Sequence, residues 1–235
     1  MYTPKPYIEA DLATLHAGMR AWSFATLVTV GPSGVNATHL PFLLDTGGGA
    51  HDDSPDGPGL LTTHLSKKNP QYVDLCAGGE ALAIFQGPHA FVTPSWYVKQ
   101  STFPTWNYTA IHARGTPRVV EDRMAVHAVL QRTVAVYDTP LRERFGGNWD
   151  YDAMPFDFVA PRLDMIAAVE IPVRVLEGKF KLNQDRSEED RRGVIAALER
   201  LGDAQSVAVA GLMRRQMEQA QTQAQTQAQA QAQAA

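Results

Sequence analysis

Residues 24–44 read FATLVTVGPSGVNATHLPFLL. Two runs rich in β-branched and aromatic residues flank Gly31-Pro32-Ser33-Gly34, the pattern of a β-hairpin with a four-residue loop. The strands are expected over 24–30 and 35–44. In the second, Thr38 and His39 are polar residues inside an apolar run, so one of them must face either water or a ligand. A histidine on the wet face of a strand is the more common case.

Outward from the hairpin, residues 9–20 carry Leu12, Leu15 and Met19 on one helical face. Downstream, the Gly-, Asp- and Pro-rich residues 46–59 read as a flexible loop. A strand over 60–65 passes through Ser66-Lys67-Lys68 to Asn69-Pro70, where Asn can cap a helix over 70–77 and Pro can occupy its first turn. A strand over 81–85 runs into Gln86-Gly87-Pro88-His89, a turn signal. Then comes a long loop holding Phe91, Trp96, Tyr97, Phe103, Trp106 and Tyr108, ending in a strand over 109–120. Such a loop either plugs a barrel end or forms a wall for a flat ligand.

Asp122 caps a helix expected over 123–137, a further turn covers 141–145, and a strand covers 165–173. Ser187-Glu188-Glu189-Asp190 is a capping box for a helix ending near Gly202, with Val194, Ile195, Leu198 and Leu201 as its apolar face. A last helix covers 203–219. The Ala/Gln/Thr repeat from 219 onward favours helix but has no large apolar residues with which to bury a core. Short antiparallel strands with helices in the crossovers describe a fold that is mainly β with helices, a small barrel with a helical C-terminal extension. No Gly-x-Gly-x-x-Gly follows a strand and no Walker loop is present, so nucleotide folds of those types have no support.

The 235 residues carry a net charge of −4, so no global basic field attracts nucleic acid or anionic membrane. Cys76 is the single cysteine and cannot form an intrachain disulfide; at the end of an apolar helix it reads as a small core residue. No run reaches membrane-spanning length and the opening residues lack an apolar signal core, so a cytoplasmic protein is expected. The histidines show no His-x-x-x-His spacing, and His51-Asp52-Asp53 reads as a surface acid cluster rather than a metal site. No Gly-x-Ser-x-Gly supports serine hydrolysis.

Three places remain for binding chemistry. Lys67 and Lys68, with Ser66, at a strand-to-helix junction, read either as a solvated lysine pair or as a hydroxyl and ammonium offered to an anion. Thr38 and His39 form the second. The third is Gly178-Lys179-Phe180-Lys181-Leu182-Asn183-Gln184-Asp185-Arg186, whose alternation can set Lys179 and Lys181 on one face.

These residues also carry a resemblance. The opening Met-Tyr-x-Pro, Ala37-Thr38-His39-Leu40-Pro41, His64-Leu65-Ser66-Lys67-Lys68-Asn69-Pro70-Gln71 and Phe85-Gln86-Gly87-Pro88-His89 resemble the PaiB-type FMN-binding negative transcriptional regulators. So do Pro94-Ser95-Trp96-Tyr97, Pro104-Thr105-Trp106-Asn107-Tyr108 and the run from Glu177 to Ser187. The resemblance implies an FMN-binding split β-barrel related to pyridoxamine phosphate oxidases, acting as a homodimer. The expected organisation is a split-barrel domain over 1–186, packed helices over 187–218 and a low-complexity tail over 219–235, the tail and the loop over 46–59 being where the chain departs from the family. The resemblance also implies Lys67 as the phosphate contact, with Thr38, His39, Ser66, Gln86, Trp106, Asn107, Lys181 and Gln184 as flavin neighbours. Members more often show Ala-Arg where this chain has Ser66-Lys67. The main functional expectation is a flavin-binding regulator that acts through a protein partner or the flavin redox state. Direct DNA contact is expected to be weak, because no basic recognition helix is visible. The alternatives are a flavin-dependent oxidoreductase and a flavin store without turnover.

Overall fold

The computed structural model describes residues 1–47 and 58–233. The loop expected over 46–59 lies outside the described residues except at its two ends, and His51-Asp52-Asp53 lies outside them altogether.

The chain opens with β1 (Ile8–Glu9) and α1 (Leu12–Ala21), which starts where the Asp11 carboxylate accepts from Thr14 N at 2.7 Å. The hairpin forms as β2 (Phe24–Gly31) and β3 (Gly34–Pro41), followed by β4 (Leu43–Asp45), β5 (Leu60–Ser66) and the short α2 (Gln71–Cys76). Next come β6 (Ala81–Val92), β7 (Thr105–Gly115) and β8 (Arg118–Val120). The helices α3 (Arg123–Tyr137), α4 (Thr139–Phe145) and α5 (Phe156–Leu163) follow. The chain finishes with β9 (Ile166–Pro172), β10 (Val175–Lys181), α6 (Glu188–Leu201) and α7 (Ala204–Gln233).

Several boundaries depart from expectation for physical reasons. Gly31 pairs with Gly34, so the hairpin closes over Pro32 and Ser33 alone. No turn forms at 86–89, because β6 continues to Val92. Pro88 is tolerated there because β2 pairs only with Leu82, Ala83 and Ile84. The aromatic loop shrinks to 93–104, opened by a 3₁₀ turn over Pro94–Trp96 that Thr93 caps. Helix α5, unforeseen because Pro161 lies inside it, buries Val159 and Leu163. The Ala/Gln tail continues α7 to Gln233. Cys76, expected in the core, is exposed.

The chain divides into two compact units. One comprises 10–86 and 111–177. In it β2 pairs antiparallel with β3 and β6, and a second sheet runs β4-β5-β9-β8. Helices α3 and α5 cover this second sheet, packing Val126, Val129, Val159 and Leu163 with Tyr151 of the segment between α4 and α5 and with Ala168 of β9. The other unit comprises 1–9, 87–110 and 178–235, with strand order β1-β10-β7-β6 and the packed pair α6 and α7. Its core includes Leu182, Val194, Leu198, Val209 and Met213. Gly202, at φ 73°, ends α6 as expected. The sheets stay open rather than closing into a continuous barrel, with β3 and β4 among their edge strands.

Candidate functional site

In the unit of residues 10–86 and 111–177, β5 ends at Ser66 and the chain turns over 66–70 before α2. Lys67 N donates to Met165 O at 2.9 Å, and Asn69 N to Ser66 O at 2.9 Å. Ser66 Oγ accepts from Lys68 N at 3.2 Å, and Asn69 Oδ1 accepts from Gln71 N at 3.0 Å. Asn69 Nδ2 reaches back to Thr38 Oγ1 at 2.9 Å. The turn that carries Ser66 and Lys67 is thus tied to Thr38 of β3 through Asn69. Helix α2 is short, and the donors here come from the turn and its side chains rather than from a helix dipole.

Lys67 is not solitary. Its Nζ lies 3.1 Å from Glu121 Oε1, and Tyr72 donates its hydroxyl to the same oxygen at 2.6 Å. The Tyr72 hydrogen bond, with Lys67 beside it, holds the Glu121 carboxyl below its usual range. The bond to Glu121 also pushes the Tyr72 phenol upward.

Thr38 and His39 are consecutive on β3 and therefore point to opposite faces. Thr38 is half-buried against Asn69, while His39 is exposed and stacks on Phe24 with ring centroids 6.4 Å apart. Of the two, Thr38 is the one bonded to the turn that carries Lys67. Gln86 is exposed on β6. On β5, burial lowers the imidazole pKa of His64, and its Nδ1 has no hydrogen-bond partner among the described residues.

The remaining candidates belong to the other unit. Trp106 is 52% exposed and lies in a surface row with His89 and Phe91, at centroid distances of 6.1 and 5.7 Å. Asn107, its neighbour on β7, points the other way and is fully buried. Its Nδ2 donates to Asn183 Oδ1 and to Met213 Sδ at 3.4 Å. Lys181 bonds Thr105 Oγ1 with its ammonium 5.9 Å from the Tyr7 ring centroid. Lys179 donates to Tyr2 O at 3.1 Å and lies 5.2 Å from the Tyr108 ring centroid. Gln184 Oε1 accepts from Leu182 N at 2.7 Å, while its Nε2 donates to Phe180 O. Gln184 thus spends its amide on internal bonds and Asn107 its Nδ2, while Lys181 is tied to a neighbouring hydroxyl. The buried Asn107 Oδ1 has no hydrogen-bond partner among the described residues. Glu121 and Tyr72 were not singled out from sequence. Nothing local marks them, since they come from a strand–helix junction and a short helix far apart in the chain.

Residues 1–175 match the family described as "Putative FMN-binding domain". The chain is 29% identical over 221 residues to the protein "Protease synthase and sporulation protein PAI 2" of Bacillus subtilis, spanning 93% of this chain and 99% of that one. It is 30% identical over 216 residues to an uncharacterized protein of Aspergillus fumigatus, spanning 77% and 83%. Among solved structures, the flavocytochrome Anf3 of Azotobacter vinelandii superposes with a TM-score of 0.53 at 14% identity, covering 79% of this chain and 75% of that one. The conserved hypothetical protein Rv2991 of Mycobacterium tuberculosis gives a TM-score of 0.52 at 14% identity, covering 78% and 92%. These likenesses define the fold as a split β-barrel. The chain belongs to the FMN-binding family that its first 175 residues match, and FMN is its cofactor. No helix among the described residues is long and apolar enough to cross a membrane.

Proposed function

We propose that the chain is a homodimeric flavin-responsive regulator that holds FMN by its phosphate at Lys67. The observation that carries this reading is the 66–70 turn, which bonds Thr38 through the Asn69 amide and carries the Ser66 hydroxyl and Lys67 in the same short stretch. A phosphate monoester takes charge-assisted hydrogen bonds from a cation and O–H donors. Ser66 and Thr38 each accept one bond in the turn and keep their own O–H to give. The donor set therefore fits the group. The exposed Gln86 amide adds a donor and an acceptor suited to the polar edge of the flavin ring. FMN, when bound, supplies a ring that takes up and returns two electrons; the residues named here bind and orient it.

The regulatory reading is supported by the name of the Bacillus subtilis relative, which refers to protease synthase and sporulation. Action through a protein partner is favoured over direct DNA contact. The net charge is −4, and on α6 Arg192 pairs with Glu188 while Arg191 bonds Gln216. The homodimer is supported by Phe24, Val30 and Val35, exposed by 69%, 69% and 76% on the hairpin of edge strand β3. An apolar strip of this kind is what an interface core requires.

Anaerobic mixing of the FMN-loaded protein with NADH or NADPH, followed at the flavin absorption band, tests the reading. Absence of rapid bleaching is expected. Fast, saturable reduction would put the chain among flavin-dependent oxidoreductases instead.

A further inference from the structure

The ammonium assigned above to the flavin phosphate already faces an anion from the protein itself. Glu121 lies between β8 and Asp122, the cap of α3. It reaches Lys67 at 3.1 Å and takes the hydroxyl of Tyr72 from α2 at 2.6 Å. The ammonium of the turn and the phenol of α2 thus converge on one oxygen of a carboxylate about fifty positions further along the chain. A second acid, Asp164, also feels the charge of Lys67. It is gripped by Arg123 through Nε at 2.9 Å and Nη2 at 2.7 Å, so its charge is matched by its own guanidinium. Glu121 has Lys67 as its cation.

A phosphate monoester carries between one and two negative charges near neutral pH. Two anions competing for one ammonium repel each other, so both cannot keep ion-pair distance without a cost. The side chains of Lys67 and Glu121 are 29% and 54% exposed. At that exposure an ion pair is weak enough to exchange partners and the carboxylate has water to move into.

We propose that Glu121 is a built-in competitor for the flavin phosphate: it occupies Lys67 when no phosphate is bound, is held there by Tyr72, and is displaced when FMN binds. This rests on the reading of Lys67 as the phosphate anchor. Glu121 then sets how strongly the site prefers a phosphorylated flavin to an unphosphorylated one. It holds that preference below what Lys67 alone would produce. Displacement also takes the acceptor from Tyr72 and releases the residue next to the α3 cap. Phosphate occupancy is thereby linked to the start of α3.

Glu121→Gln keeps the shape and an acceptor oxygen for Tyr72 while removing the charge. FMN and riboflavin are titrated calorimetrically into ligand-free wild type, Glu121→Gln and Lys67→Ala at one salt concentration. Glu121→Gln is expected to bind FMN roughly three- to tenfold more tightly, with riboflavin unchanged. If Lys67→Ala weakens FMN selectively while Glu121→Gln leaves FMN unchanged or weaker, the competitor role is overturned and the anchor stands. If Lys67→Ala lowers FMN and riboflavin affinity equally, the anchor falls and the competitor with it.

Discussion

Asp74 of α2 binds Ser33 of the hairpin turn twice, taking its backbone N–H at 2.9 Å on Oδ1 and its hydroxyl at 2.7 Å on Oδ2. Asn36 Nδ2 adds a bond at 3.0 Å and Thr29 Oγ1 another at 3.1 Å. One carboxylate therefore ties both strands and the turn of the hairpin to α2. The approach is so close that a Cβ on Gly31 would meet Asp74 Oδ1 at 2.5 Å.

Asp74→Asn is expected to lower the melting temperature at pH 7 by roughly 5 °C or more, through loss of charge-assisted bonds. The Ser33 N–H, then its hydroxyl, with Asn36 and Thr29 beside them, hold the Asp74 carboxyl below its usual range. A depressed folded-state pKa contributes stability that is present above the unfolded value of about 3.9. That contribution disappears as the pH falls through the folded value. Melting curves from pH 7 downward should show a steeper acid loss in the wild type than in Asp74→Asn. Parallel curves would remove Asp74 from the account.

Lys67→Ala is expected to weaken FMN binding by roughly ten- to a hundredfold, since a bond to a charged group contributes about 1.5–3 kcal/mol. Riboflavin, which lacks the phosphate, should hardly notice the change. Lys68→Ala, at the next, exposed position, serves as the control and should leave both affinities alone. Fluorescence titration of the two flavins measures the ratio that matters.

Asn183 sits at φ 61° in the left-handed region and is buried. It accepts from Asn107 and donates to Tyr97 Oη at 2.9 Å. Asn183→Ala loses both bonds and adds backbone strain, so a cost of about 2–4 kcal/mol is expected. Asn183→Gly loses the same bonds but tolerates the backbone angle, and should be about 1 kcal/mol less damaging. Urea denaturation of the pair separates strain from hydrogen bonding; equal losses would mean that the angle carries no strain.

If the hairpin face forms the homodimer contact, Val35→Glu should weaken self-association by at least roughly tenfold, because it buries a charge in an apolar interface. Sedimentation equilibrium reads this directly. An unchanged dimer would move the interface elsewhere.

Much of this molecule was legible in the chain itself. The hairpin over 24–41, the Asp122 cap of α3 and the Ser187 cap of α6 are local devices, settled within a few residues. The second strand expected over 35–44 breaks at Phe42, and β4 joins the other sheet. The long aromatic segment misled where Gly87-Pro88 resembled a turn. Strand pairing outweighed local preference there, and β6 ran on to Val92. Helix α5 was hidden because Pro161 masks a helix whose formation depends on burying Val159 and Leu163.

The site divides along the same line. Sequence identified Ser66 and Lys67 as a hydroxyl and a cation at a strand end, and the alternation of β3 implied that Thr38 and His39 could not share a face. Only tertiary structure brought Asn69 to Thr38, turned Asn107 and Gln184 inward to internal partners, and set Glu121 and Tyr72 on Lys67. The physical reason is range. Capping, turn chemistry and side-chain alternation are settled within a few residues. A carboxylate meeting an ammonium 54 positions away in sequence depends on how whole strands and helices pack, and nothing local to either residue encodes that.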